Sequence, residues 1–140
     1  MDVKRFFEMV AAALACDRAR AEAVSAVVLQ ELRAQLTVHE VADVAAQMPP
    51  ALCRIWMEGA TPAGPARRLR AAELIGRVRQ RAVLPDDAEA ERAVRAVFAA
   101  LRTLLGSPSG LGGEAWDVFS VLPKDLKQLW LPEHDESVRP

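Results

Sequence analysis

The sequence is poor in the side chains that most often build catalytic and metal-binding sites. Its 140 residues include two cysteines, two histidines and no tyrosine. Cys16 and Cys53 do not combine with His39 and His134 into any metal-ligand spacing, and two cysteines form no disulfide framework. We therefore expect no metal, no cofactor and no catalytic residue, and a reducing compartment such as the cytoplasm.

Long hydrophobic runs are also missing from the sequence. No stretch approaches the roughly 20 consecutive apolar residues that a membrane-spanning helix needs, so we expect no membrane span. Apolar residues make up 51% of the chain, charged residues 26%, and the net charge is -1. This composition is typical of a folded globular protein, and the length fits one domain with one core.

The start of the chain offers an alternative to a first helix. Lys4 and Arg5 precede an apolar stretch that ends at Cys16, which loosely resembles a bacterial lipoprotein signal. Glu8 interrupts this stretch and Asp2 precedes the basic pair, and both features disfavour a cleaved signal. We expect the segment to form the first helix of the fold.

Helix signals dominate the rest of the sequence. Apolar and polar residues never alternate for long, as they do in strands, and alanine is abundant. Asp17 is a candidate N-cap, Thr37 and Glu40 form a candidate capping box, and the pair Pro49 and Pro50 separates two helices. After the first helix, the signals predict helices over 18–36, 38–48, 50–59, 66–82, 86–105, 114–121 and 123–130.

The order of these helices repeats, and the repeat decides the predicted fold. At an offset of 69 residues, Asp17, Glu22, Val28, Leu32, Arg33 and Leu36 recur as Asp86, Glu91, Val97, Leu101, Arg102 and Leu105. At an offset of 74, Glu40, Asp43, Val44, Pro49, Leu52 and Trp56 recur as Glu114, Asp117, Val118, Pro123, Leu126 and Trp130. In the first helix, Phe6, Phe7 and Val10 take the places of Leu74, Ile75 and Val78.

These matches predict an all-α helical bundle of two pseudo-twofold related repeats of about four helices each. Four short helices with one apolar face each cannot close a core, whereas two docked copies cover each other. We expect a single domain over 1–133, with repeat one at 1–59, a linker at 60–66 and repeat two at 67–133. A mobile polar tail over 134–140 follows.

Each repeat contains a proline, a leucine three residues later and a tryptophan seven residues later. This spacing places the leucine and the tryptophan on one face of a helix that the proline opens. We expect packing roles for both sets of residues, with a binding role for the tryptophans as the alternative. The two sets are Pro49, Leu52 and Trp56, and Pro123, Leu126 and Trp130.

Three further motifs carry a family resemblance. They are Ala-Ala-Gln-Met-Pro at 45–49, Trp-Met-Glu-Gly at 56–59 and Glu-Leu-Ile-Gly-Arg-Val at 73–78. With them the chain resembles the bacterial domain-of-unknown-function family DUF2267 over nearly its whole length, up to residue 133. The resemblance implies a duplicated helical unit with a Gln-Leu-Pro-like corner in each copy, and it implies no activity. The second copy departs from the pattern, because Val121 replaces the glutamine and the loop at 106–113 is longer.

The segment 67–81 is the most basic part of the chain, with six arginines and one glutamate. A basic stripe on an amphipathic helix is suited to nucleic acid, an anionic surface or an acidic protein. The candidate binding face consists of Arg67, Arg70, Arg77 and Arg81. The same arginines also fit a solvated face that pairs with the acidic second repeat.

The sequence therefore predicts a non-catalytic protein-interaction module that binds a protein partner or self-associates. Binding of nucleic acid or an anionic surface through 67–81 is the alternative, although no recognised nucleic-acid motif accompanies it. An enzyme or small-molecule binder with a cleft between the repeats is a third possibility, for which the sequence offers no named residue.

Overall fold

The computed structural model describes residues 3–58, 70–105 and 128–129, and the regular secondary structure of these residues is helical. Six helices are described: α1 Val3–Leu14, α2 Arg18–Arg33, α3 Val38–Ala45, α4 Pro50–Met57, α5 Ala71–Arg81 and α6 Asp87–Leu105. They confirm the all-α prediction. The predicted linker, the tail and the helix over 114–121 lie outside the described residues, as does the helix over 123–130 apart from the helical Gln128 and Leu129.

The predicted signals at the helix starts are confirmed. Oδ1 of Asp17, the predicted N-cap, accepts a hydrogen bond from the backbone N–H three residues later at 2.8 Å, and Oδ1 of Asp86, its match at an offset of 69, does the same at 2.9 Å. Thr37 Oγ1 accepts from the Glu40 N–H at 3.1 Å, and the Glu40 carboxylate accepts from the Thr37 N–H at 2.8 Å. These side chains satisfy N–H groups that have no partner within the helix.

Three helix boundaries differ from the prediction by three residues or more. Helix α2 ends at Arg33 instead of 36, and α3 ends at Ala45 instead of 48. In both places the backbone continues as tight turns, in which the bonds run to the carbonyl three residues back from the N–H groups of Gln35, Leu36, Gln47 and Met48. Helix α5 begins at Ala71 instead of 66, because Arg70 is extended and its N–H donates to the Glu73 carboxylate at 3.0 Å.

Helices α1 and α5 end in the same kind of turn. Ala15 and Val83 follow them with positive φ values of 52° and 55°. The next residue in each case donates its N–H to the carbonyl five residues back, at 3.1 and 2.9 Å. This is a Schellman-type helix end, which favours glycine at the positive φ, so the β-branched Val83 is strained there.

Helix α2 lies at the centre of the packing and contacts α1, α4, α5 and α6. In addition, α1 and α5 each contact α6, and α3 contacts α4. The segment 18–36 buries one stripe of residues at three- and four-residue spacing: Ser25, Val28, Leu29, Leu32 and Leu36. Phe6, Phe7 and Val10 of α1 are buried as well, so the first helix belongs to the core. None of the helices in the described ranges is long and apolar enough to cross a membrane.

Candidate functional site: the contact between α5 and α2

The predicted basic face does not form a row of free arginines. Arg67 lies outside the described residues, and Arg70 is exposed at the N-cap of α5. Arg77 and Arg81 are one helical turn apart on the same side of α5. Both guanidinium groups point at the same partner, Glu31 of α2.

Glu31 and the two arginines form a compact ion cluster. Arg77 Nε donates to Glu31 Oε1 at 2.6 Å, and Arg81 Nη1 donates to Glu31 Oε2 at 2.8 Å. Arg81 Nη2 also donates to Gln30 Oε1 at 2.6 Å. The Glu31 side chain is 4% exposed, whereas those of Arg77 and Arg81 are 44% and 41% exposed. The carboxylate is therefore covered by the helices and by arginines that stay in contact with solvent.

The electrostatics of the cluster favour its ionised form. Burial alone raises the pKa of Glu31, but the hydrogen bonds and positive charges of Arg77 and Arg81 outweigh burial and hold this pKa below its ordinary value. In turn, the hydrogen bond and charge of Glu31 raise the pKa of Arg77. Charge-assisted hydrogen bonds of this kind are stronger than neutral ones, so the cluster fastens α5 to α2.

The expected pairing of the basic segment with the acidic second repeat holds for one arginine. Arg79 Nε lies 2.8 Å from Asp87 Oδ1 at the start of α6. Arg77 and Arg81 instead bind Glu31, which belongs to the first repeat of the prediction. No sequence signal indicates this contact, because a lone glutamate beside the apolar stripe of α2 resembles an ordinary surface residue.

The corner of α4 uses its tryptophan for packing. Pro49 is the N-cap of α4, and Leu52 and Trp56 have no exposed surface. Trp56 Nε1 donates to the Val41 carbonyl at 3.0 Å, which joins α4 to α3. The matching residues of the predicted second repeat lie outside the described residues: Pro123, Leu126 and Trp130.

The remaining residues considered for chemistry are dispersed. His39 is exposed in the first turn of α3, while Cys16, between α1 and α2, and Cys53, in α4, are half-buried. Across residues 3–58, 70–105 and 128–129, no three His, Cys, Asp or Glu side chains group in a way that could hold a metal ion. Among these residues, the Glu31 cluster is the most organised arrangement of charged groups.

Residues 3–129 match the family model described as an uncharacterized conserved protein, DUF2267. The chain belongs to this family. The match spans the six helices of the described residues, the Glu31 cluster and the Trp56 corner, and the description of the family states no activity. A comparison with curated proteins gives no match.

Proposed function

We propose that this DUF2267 chain is a non-catalytic protein-interaction module made of two related helical units that cover each other. The observation that carries the proposal is that the charged groups of the Glu31 cluster bind one another and join α5 to α2. Both oxygens of the one buried carboxylate of the cluster are bound by arginines, and this bonding holds two helices together. The most organised charged groups of the described residues therefore serve the fold, and the helices are left as a scaffold for binding.

The contacts between helices support a duplicated architecture. Helices α1 and α2 form the first hairpin, and α5 and α6 form the second. Exchanging the two hairpins converts the α1–α6 contact into the α5–α2 contact and leaves the α2–α6 contact unchanged, and all three contacts are present. The shared turns after α1 and α5 and the shared aspartate caps of α2 and α6 fit the same relation.

Burial along the two long helices supports the duplication as well. Residues at an offset of 69 in α2 and α6 are buried together. The pairs are Ala21 and Ala90, Val24 and Ala93, Val28 and Val97, Leu29 and Phe98, and Leu32 and Leu101. The same face of each helix therefore contributes to one shared core, as expected for two docked copies of one unit.

The chemistry of the cluster favours a structural role over catalysis. A general base needs a carboxylate that is free to take a proton and has a pKa near the working pH. Glu31 has the opposite properties, because its pKa is lowered and its oxygens are bound by Arg77 and Arg81. A role in binding other molecules, for which the helices provide a scaffold, fits these properties better.

The cluster also weakens the alternative of nucleic-acid binding. Phosphates bound by Arg77 or Arg81 would compete with a buried carboxylate that already holds both side chains. The three charges of the cluster sum to one positive charge, so the cluster attracts phosphates less strongly than the arginine count of the sequence suggests. A protein partner or a second copy of the chain is therefore the proposed ligand.

The mass of the purified chain in solution tests this function. We expect light scattering to show concentration-dependent self-association, or affinity capture to retain one partner protein in a fixed ratio. Fluorescence anisotropy with a labelled DNA duplex at low and physiological salt tests the alternative. A strict monomer without a partner contradicts the proposal, and DNA binding that weakens steeply with salt and is lost in Arg70→Glu would replace it.

A further inference from the structure

The Glu31 cluster occupies only one of the two contacts that the proposed duplication relates. Position 31 of α2 corresponds to position 100 of α6, and Glu31 and Ala100 are both buried. An offset of 68 relates Val10 of α1 to Val78 of α5. At this offset, positions 77 and 81 of α5 correspond to Met9 and Ala13 of α1. The α2–α5 contact is therefore ionic, whereas the corresponding positions of α1 and α6 carry a half-buried methionine, an exposed alanine and a buried alanine, none of which is charged.

We propose that this difference is a pairing code: it makes the first hairpin bind the second hairpin and disfavours pairing between like hairpins of two chains. The surface concerned is the α2–α5 contact, and the partner that it fits is a hairpin carrying the opposite charge. The proposal rests on the duplicated architecture of the proposed function. It adds that Glu31, Arg77 and Arg81 determine which hairpins pair.

Like pairing fails for a physical reason in both possible forms. Two first hairpins would place Glu31 of each chain against Met9 and Ala13 of the other, which leaves a buried carboxylate without a partner. Two second hairpins would place Arg77 and Arg81 against Ala100 and deprive both guanidiniums of the carboxylate. The unpaired buried carboxylate is a strong penalty in the first form, whereas the second form loses two charge-assisted hydrogen bonds of partly exposed arginines, so both like pairings are disfavoured relative to the observed contact.

The pairing code can be tested with two full-length variants, one of which keeps only Glu31 and the other only Arg77 and Arg81. One variant carries Arg77→Met and Arg81→Ala, and so retains only the acidic side. The other carries Glu31→Ala and retains only the basic side. Each variant has a mismatched α2–α5 contact within its own chain, whereas an exchange of hairpins between the two variants restores one ionic contact and one apolar contact.

The experiment is to unfold the two variants, mix them, refold them together and determine the species by native mass spectrometry. Chain concentrations should extend to about 1 mM, comparable to the effective concentration that a short linker provides. We expect a heterodimer of the two variants to be several-fold more abundant than either homodimer. If the acidic variant does not fold alone, we expect its helical circular dichroism to appear only after mixing.

A matched control contains the same four hairpins in another arrangement. Wild-type chain is refolded together with the triple variant Glu31→Ala, Arg77→Met, Arg81→Ala, in which every hairpin already matches its own partner. We expect no preferred heterodimer in this mixture. Equal heterodimer yields in the two mixtures would overturn the pairing code.

The triple variant separates failure of the code from failure of the duplication. Its three substitutions give the α2–α5 contact the residue types of the α1–α6 contact, so it should fold if the halves are related. A triple variant that does not fold overturns the duplication itself. A triple variant that folds, without a heterodimer from the two complementary variants, overturns only the pairing code.

Discussion

Removing the carboxylate of the Glu31 cluster should lower the free energy of unfolding much less than removing its two arginines. We compare Glu31→Ala with the double variant Arg77→Met, Arg81→Ala. Without Glu31, the arginines can turn to water because more than two fifths of each side chain is already exposed. Without the arginines, Glu31 stays buried with a charge that has no partner.

The expected magnitudes follow from this difference in exposure. Loss of the partly exposed, charge-assisted bonds in Glu31→Ala should lower the free energy of unfolding by about 1–2 kcal/mol. An unpaired buried charge costs about 3–5 kcal/mol, and because solvent reaches the edge of this cluster we expect about 3 kcal/mol for the double variant at neutral pH. The double variant should therefore be the less stable one.

The dependence on pH should also reverse between the wild type and the double variant. In the wild type the pKa of Glu31 is lowered, so the stabilisation is complete above the ordinary value of 4.5 and is lost as the pH falls through the lower, folded-state value. In the double variant only burial acts on Glu31 and raises its pKa. Its penalty should therefore shrink as acid neutralises the carboxyl group.

Urea unfolding followed by circular dichroism measures both effects, at neutral pH and at several pH values down to about 4. The triple variant Glu31→Ala, Arg77→Met, Arg81→Ala is the reference for the pH series, since it lacks all three charges. A cost of Glu31→Ala equal to or larger than that of the double variant would refute the reasoning. So would a double variant that loses stability on acidification relative to this reference.

Three further predictions concern the helix ends and the core, each measured by urea unfolding. Val83→Gly should raise the free energy of unfolding by about 0.5–1 kcal/mol, because glycine relieves the positive φ and the valine is 80% exposed; Val38→Gly, at an exposed helical position, should lower it instead. Thr37→Ala should cost about 1 kcal/mol by removing one half of the capping box, and an unchanged stability would contradict the role of the cap. Trp56→Phe should cost about 1–3 kcal/mol, because it leaves a gap and removes the bond to the Val41 carbonyl; a smaller cost would indicate that the core repacks around phenylalanine.

Most of the local structure could be predicted because its signals are local. Asp17, Thr37 and Glu40 determine helix starts by bonding within one turn of themselves, and the apolar spacing of α2 reports which face is buried. The helix ends were predicted less well, because the tight turns after α2 and α3 have no marker residue such as glycine. Here the sequence pattern continues past the point where the hydrogen bonding changes.

The candidate site was predicted only in part. The arginines of α5 are visible as a cluster of one charge, but the pattern does not state what they bind. Glu31 is 46 residues away from Arg77 along the chain, and only the packing of α5 on α2 brings them together. Long-range ion pairs of this kind depend on tertiary structure, which neither helix signals nor charge counts report.

Both proposals depend on one contact, in which arginines of α5 are bound internally by a buried, ionised Glu31. A titration of the Glu31 side-chain carboxyl carbon by NMR tests it most directly, in the wild type and in Arg77→Met. We expect a pKa below the ordinary value of 4.5 in the wild type and a clear increase in the variant. A wild-type pKa at or above the ordinary value, or one that Arg77→Met leaves unchanged, would show that the arginines are free for another partner.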